Sequence, residues 1–208
     1  MTFRMNQTVM DWPEGLDTQS FSGIGRLATA SPQGAQAADI LDRFQILECL
    51  LGYGPEVVGT LPLGIDIATS DIDILCNVSG LDAFGLFADQ AFGDFAGYTR
   101  HRRDATDHVD AAVVVRFECD GLPIEIFATD RPAREQYGFV HMLVEARILH
   151  VMGDGFARKI QDLKQAGIKT EPAFASLLRL DGDPYLALAK LADLSPSELC
   201  GRLGVSGI

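Results

Sequence analysis

A chain of 208 residues that is 47% hydrophobic and 22% charged carries enough apolar side chains for one substantial core, and no apolar run in it reaches the roughly 20 residues of a membrane-spanning helix. Its formal charge of −12 argues against gripping a long polyanion through a basic field, so a small-molecule substrate is expected and nucleic acid is not. Residues 1–7 lack the apolar stretch of a secretory signal, and Cys49, Cys76, Cys119 and Cys200 are scattered without metal-ligand spacing; they read as buried thiols in a reducing compartment, the cytoplasm.

Residues 1–35 are polar and rich in Gly, Ser and Thr, the composition of an N-terminal extension draped over a body. Ile40, Leu41, Phe44, Leu47 and Leu51 recur with a helical period and predict a helix over 37–51, stopped by Gly52-Tyr53-Gly54-Pro55. Val57 and Val58 start a sheet, 71–78 supplies a second strand, and 82–92 reads as a helix carrying Phe84, Phe87, Ala88 and Ala91. The run Arg100-His101-Arg102-Arg103, followed by Asp104, Asp107 and Asp110, reads as a solvated loop. Next, a β-branched run over 111–119, the turn pair Asp120-Gly121 and a return over 122–127 predict a hairpin with Cys119 facing Leu122 and Arg116 facing Glu125.

The remainder is helical. Tyr137, Val140, Val144, Ile148 and Val151 give 134–152 an apolar stripe, with His141 and Glu145 four apart on another face. A further helix ends at Gly167, the next begins at Thr170 or Glu171 beside Pro172, and Asp183-Pro184-Tyr185 is a turn with no assigned role. Ser195-Pro196-Ser197-Glu198 is a capping box, stapled by Leu194 and Leu199. The expected fold class is α/β (α+β): a mixed sheet flanked by helices over 36–132, with a C-terminal helical region over 133–208 packed on that core.

Two stretches carry the chemistry. Gly59-Thr60 closes an apolar strand, and Ser70-Asp71-Ile72-Asp73-Ile74 then sets two carboxylates on one face of the next strand, since alternate residues share a face. Side-by-side carboxylates repel unless a proton or a cation intervenes. Mg2+ or Mn2+ suits such oxygen ligands and leaves room for substrate phosphates. Glu125, charged among apolar neighbours, has two readings: a cross-strand ion pair with Arg116, or a third metal ligand beside Asp71 and Asp73. His141 and Glu145 are either a hydrogen-bonded structural pair or, with Gln136, a substrate contact facing the carboxylates. Lys164 and Lys169 flank a helix end where a phosphate could rest.

A Gly-Ser or Gly-Thr turn, then Asp-x-Asp on the next strand, then a lone acidic residue on a later one, resembles the nucleotidyltransferase superfamily that includes DNA polymerase beta. The matching positions are Gly59-Thr60, Asp71-Ile72-Asp73 and Glu125. Gly59 through Ile67 and Ser70 through Ile74 are similar to an uncharacterised bacterial family placed in that superfamily. So are Gln136, His141-Met142, Glu145, Lys164 and Gly167 through Ala175. The resemblance implies metal ions held by Asp71, Asp73 and Glu125, a nucleoside triphosphate cradled by the backbone at Gly59-Thr60, and nucleotidyl transfer to a hydroxyl of a small molecule or a protein. One departure stands out: Leu61-Pro62-Leu63-Gly64-Ile65 has no basic residue for the phosphates. Neutralisation then falls to Arg116, Arg131, Arg134, Lys164 or Lys169. The alternative is a non-catalytic nucleotide-binding module acting through a protein partner.

Overall fold

The structure is a computed structural model and describes residues 12–13, 15–106 and 109–205. After a short helix α1 (Gly25–Ala30), Ser31 caps the longer α2 (Pro32–Arg43): its hydroxyl accepts the Gly34 N–H, and Pro32 occupies the first turn. The helix expected over 37–51 therefore starts earlier and stops sooner. Gln45 adopts φ 52°, a left-handed conformation that ends α-helical hydrogen bonding, and α3 (Ile46–Cys49) with a 3-10 turn at Leu51–Tyr53 completes the segment. The apolar period runs through the break because Ile40, Leu41, Ile46 and Leu50 all enter one core. Within the stretch expected as an extension, Leu16, Phe21 and Leu27 are buried; residues 1–11 and 14 lie outside the described residues, as does Asp107.

The described strands are β1 (Glu56–Val58), β2 (Ile72–Asn77), β3 (Ala96–Arg103), β4 (Ala112–Cys119) and β5 (Leu122–Thr129), with α4 (Leu81–Phe92) between β2 and β3. They form one mixed sheet in the order β1-β2-β5-β4-β3, in which β2 and β5 are parallel and the other neighbours antiparallel. Asp120 and Gly121 take φ 46° and 78°, the left-handed pair of a two-residue hairpin turn, and Arg116 opposes Glu125 as the sequence suggests. The basic run 100–103 is the edge strand β3 and not a loop. Arg100 and Arg102 turn toward α4 and pair with Asp89 at 2.9 Å and Asp82 at 2.7 Å. An edge strand exposed along most of its length shows no apolar alternation, and charges on it discourage edge-to-edge pairing.

Alternation along the central strands separates two cores. Ile72, Ile74 and Cys76 of β2, with Ile124, Ile126 and Ala128 of β5, pack with α2 and α4, where Phe92 stacks on Phe117 at 5.0 Å. Leu75 and Phe127 face the other way, into a second core built with α5 (Tyr137–Met152), α6 (Asp154–Gln165), α7 (Thr170–Leu178), α8 (Pro184–Ala189) and α9 (Pro196–Leu203). From Phe139 to Ile148 every residue of α5 is buried, so over this stretch the helix has no solvent face and the expected single stripe is too narrow a description. Arg147, 4% exposed, donates to the carbonyls of Leu16 (3.3 Å) and Ala192 (2.9 Å) and lies 4.6 Å over the Trp12 ring. It ties the early chain to the helical region. Ser195 and Glu198 form the expected capping box of α9. Cys76, Cys119 and Cys200 are buried free thiols, whereas Cys49 is exposed. Among the described residues no helix is long and apolar enough to cross a membrane.

Candidate functional site

Strand register assembles one row of side chains across the whole sheet. Val58 of β1 opposes Asp73 of β2; Asp73 is beside Glu125 of β5; Glu125 opposes Arg116 of β4; and Arg116 opposes Thr99 of β3. In-register neighbours project to the same face, about 4.8 Å apart from strand to strand. Asp71, two residues before Asp73 and just ahead of β2, shares that face. Ile72 and Ile74 take the opposite one, so apolar burial on one side of β2 fixes the carboxylates on the other.

The bend after β1 closes on this row. Gly59 has φ 84°, and a Cβ at this position would lie 2.3 Å from Asp73 Oδ2. Only glycine lets the backbone pass so near the carboxylate. Thr60 Oγ1 and Ser70 Oγ are 3.3 Å apart, and Ser70 Oγ also accepts the Ile67 N–H at 3.0 Å. Ser70 thus stitches the segment before β2 to the bend.

These residues form one wall of a cleft of about 860 Å³ whose other wall is helical, lined by Gln136, His141 and Glu145 of the α5 region, Lys164 of α6, Lys169 and Glu171 at the start of α7, and Tyr185 of α8. Lys164 Nζ donates to the Ile65 carbonyl at 2.9 Å, which brings a buried cation to the segment that has no basic residue of its own. Burial drives its pKa down, opposed by the charges of Glu145, Asp66, Asp71 and Asp73. Asp73 is pushed well above the usual carboxylate range, chiefly by burial and then by the charges of Asp71, Glu125 and Glu171, with Lys164 opposing.

Glu145 is 3% exposed, and its Oε1 is buried without a hydrogen-bond partner. Burial, and then the charge of Glu171, raises its pKa strongly. It does not pair with His141. That ring instead reaches the Tyr185 carbonyl through Nε2 (3.0 Å) and Glu171 Oε1 through Nδ1 (3.4 Å). Both ring nitrogens are thus engaged by oxygens of the helical wall. Burial raises the Glu171 pKa, but the hydrogen bond from His141, a backbone hydrogen bond and the charges of His141 and Lys169 together outweigh it, and the net shift is downward. The i, i+4 spacing suggests a pair only where a helix face is open; in a buried helix the partners come from neighbouring helices.

The remaining candidates separate. Gln136 donates to the carbonyls of Cys76 (3.0 Å) and Arg131 (2.9 Å), leaving its own buried oxygen without a partner. Arg131 lines the cleft but is engaged by Asp110 at 2.5 Å. Arg134 pairs with Glu56 at 2.6 Å and does not line the cleft. Arg116 also stays outside it and forms an ion pair with Glu125, so the pairing reading of Glu125 is realised beside Asp73. The donor set Asp71, Asp73 and Glu125 suits a hard divalent ion, yet among the described residues no three His, Cys, Asp or Glu side chains are already gathered into a coordination shell. Glu171 and Tyr185 belong to the cleft and were legible only as a helix start and a turn.

Residues 39–191 match the family model described as Domain of unknown function (DUF4269). No curated protein matches the chain. Among solved structures, the GLD-2/RNP-8 complex is similar at TM-score 0.48 and 11% identity, over 77% of this chain and 60% of that one. Cid1, in a structure titled for its RNA terminal uridylyl transferase activity, is similar at 0.45 and 15%, over 75% and 46%. Cid1 poly(U) polymerase with bound MgGTP is similar at 0.45 and 13%, over 82% and 51%. The chain thus spans 60% or less of the length of each of these.

Proposed function

The chain belongs to the DUF4269 family, and from that premise we propose that it is a divalent-metal-dependent nucleotidyltransferase, moving a nucleoside monophosphate from a triphosphate to a hydroxyl of a small molecule or a protein. One observation carries the reading: a glycine bend at Gly59 packs on Asp73, while Asp71, Asp73 and Glu125 line the same cleft. Asp71, Asp73 and Glu125 would hold Mg2+ or Mn2+. A cation held there would supply charge stabilisation for the leaving pyrophosphate and would acidify the acceptor hydroxyl.

The chain's own groups do the rest. Backbone N–H groups at Gly59-Thr60 can approach phosphate oxygens because glycine leaves the bend uncluttered. Lys164 spends one of its three N–H donors on the Ile65 carbonyl and keeps two for a phosphate. Lys169, exposed at the start of α7, can meet a more distal one. The helical wall, with Gln136, Glu145 and Tyr185, is then left for the acceptor.

Purified protein incubated with Mg2+ or Mn2+ and each labelled triphosphate should release pyrophosphate, and Asp71→Asn or Asp73→Asn should abolish release. Triphosphate binding that needs no metal, with no release for any acceptor tried, would favour the non-catalytic nucleotide-binding module instead.

A further inference from the structure

Three of the basic side chains that could serve the acidic row are held by other partners. Lys164 is on the Ile65 carbonyl, Arg131 is on Asp110 and Arg134 is on Glu56. Arg116 alone among the described residues is in direct ion-pair contact with one of the three carboxylates, and strand register puts it there: β4 and β5 set it opposite Glu125, as Glu125 is set beside Asp73. The Arg116 side chain is 53% exposed and that of Glu125 23%, so the arginine can swing into water while the glutamate stays at the cleft.

We propose that Arg116 is a counter-ion latch on Glu125, a positioning residue that occupies the glutamate in the metal-free protein and must yield it when a divalent cation binds. The inference rests on the reading of Asp71, Asp73 and Glu125 as a cation site. A guanidinium and a divalent ion compete for the same carboxylate oxygens and repel one another, so their occupancies of Glu125 are antagonistic. A largely exposed ion pair is weak, which makes the latch displaceable. In the metal-free state the pair spares Asp73 part of the repulsion from its in-register neighbour.

Mn2+ binding to the full-length protein, measured by calorimetry together with thermal melting, tests this without any turnover. Arg116→Gln should bind Mn2+ about threefold tighter, on the scale of one exposed ion pair. It should also melt lower than the wild type without Mn2+ and gain more from adding it. Arg116→Lys, which keeps the charge, should bind like the wild type. Weaker binding by Arg116→Gln would overturn the latch and make Arg116 an orienting partner that helps Glu125 ligate; unchanged binding would overturn it as well. If the wild type binds no Mn2+, with or without a triphosphate, the cation site fails and the nucleotidyltransferase reading with it. Wild-type binding that Asp73→Asn removes, with no tightening in Arg116→Gln, would sink the latch alone.

Discussion

Replacing Gly59 by alanine isolates the contact on which the site is built. The new Cβ would stand 2.3 Å from Asp73 Oδ2 and 3.2 Å from its Cγ, so the carboxylate must move by about 1 Å to restore ordinary contact. Two costs add. Holding an L-residue at φ 84° costs about 1–2 kcal/mol, and turning Asp73 off its rotamer about 0.5–1.5 kcal/mol more. A loss of about 2–3 kcal/mol corresponds to a melting point lower by roughly 4–12 °C in a protein of this size. Mn2+ affinity should fall at least about tenfold, since a displacement of this size in a ligand undoes a preorganised site. Gly64→Ala is the control: its φ is 66° and its Cβ would meet the Ala30 carbonyl at 2.7 Å, away from the carboxylates, so it should melt low while binding Mn2+ normally. Thermal melts and Mn2+ titrations of both variants decide the matter. Gly59→Ala that melts within a degree of the wild type and binds Mn2+ equally well would refute the argument.

Lys164→Met should weaken triphosphate binding by about ten- to a hundredfold, the worth of one or two charge-assisted hydrogen bonds, without weakening Mn2+ binding; nucleotide and metal titrations separate the two. Arg147→Ala removes the donor that joins Leu16 and Ala192 and should cost about 2–4 kcal/mol; melting and faster proteolytic cutting of the early chain report it. Asp73 and Glu145 both have raised pKa values in the folded protein, so the fold binds protons that the unfolded chain has released above about pH 4. Their contribution is therefore full below that pH and lost as pH rises through the folded values. In metal-free protein the stability of Asp73→Asn or Glu145→Gln relative to wild type should climb with pH across that window; a flat difference between variant and wild-type melts would contradict it.

The parts of the fold legible in sequence are those with local causes. Asp120-Gly121 dictates its own turn, and once the turn is set the register of Arg116 and Glu125 follows. The helix break at Gln45 has no such signal: no glycine or proline marks it, and the apolar period continues through it because both pieces feed one core. Strand β3 was hidden by its charges, which an exposed edge tolerates. The site divides in the same way. The shared face of Asp71 and Asp73 follows from strand periodicity, whereas the adjacency of Asp73 and Glu125 depends on β2 and β5 being parallel neighbours, a choice made by the whole sheet. The partner of His141 is likewise non-local: Glu171 lies on a different helix, while spacing along α5 points to Glu145.

Asp73 is the position where structural economy and function part company. A half-buried carboxylate with like charges beside it costs free energy unless a partner compensates, and among the described residues no hydrogen-bond donor is aimed at it. Its closest enforced neighbour is the bend at Gly59, which a Cβ would fill. A merely structural role at this place could be met by asparagine, which keeps the shape and sheds the charge. The surrounding groups compensate only in part: Lys164 acts at a distance from α6, and Arg116 neutralises the neighbouring Glu125 and not Asp73 itself. The negative charge left over sits in an open cleft beside uncluttered backbone, where a cation carrying a triphosphate would complete the balance. On this reasoning Asp73→Asn in the metal-free protein should be more stable than wild type near neutral pH and yet lose Mn2+ binding, a combination that a structural carboxylate would not produce.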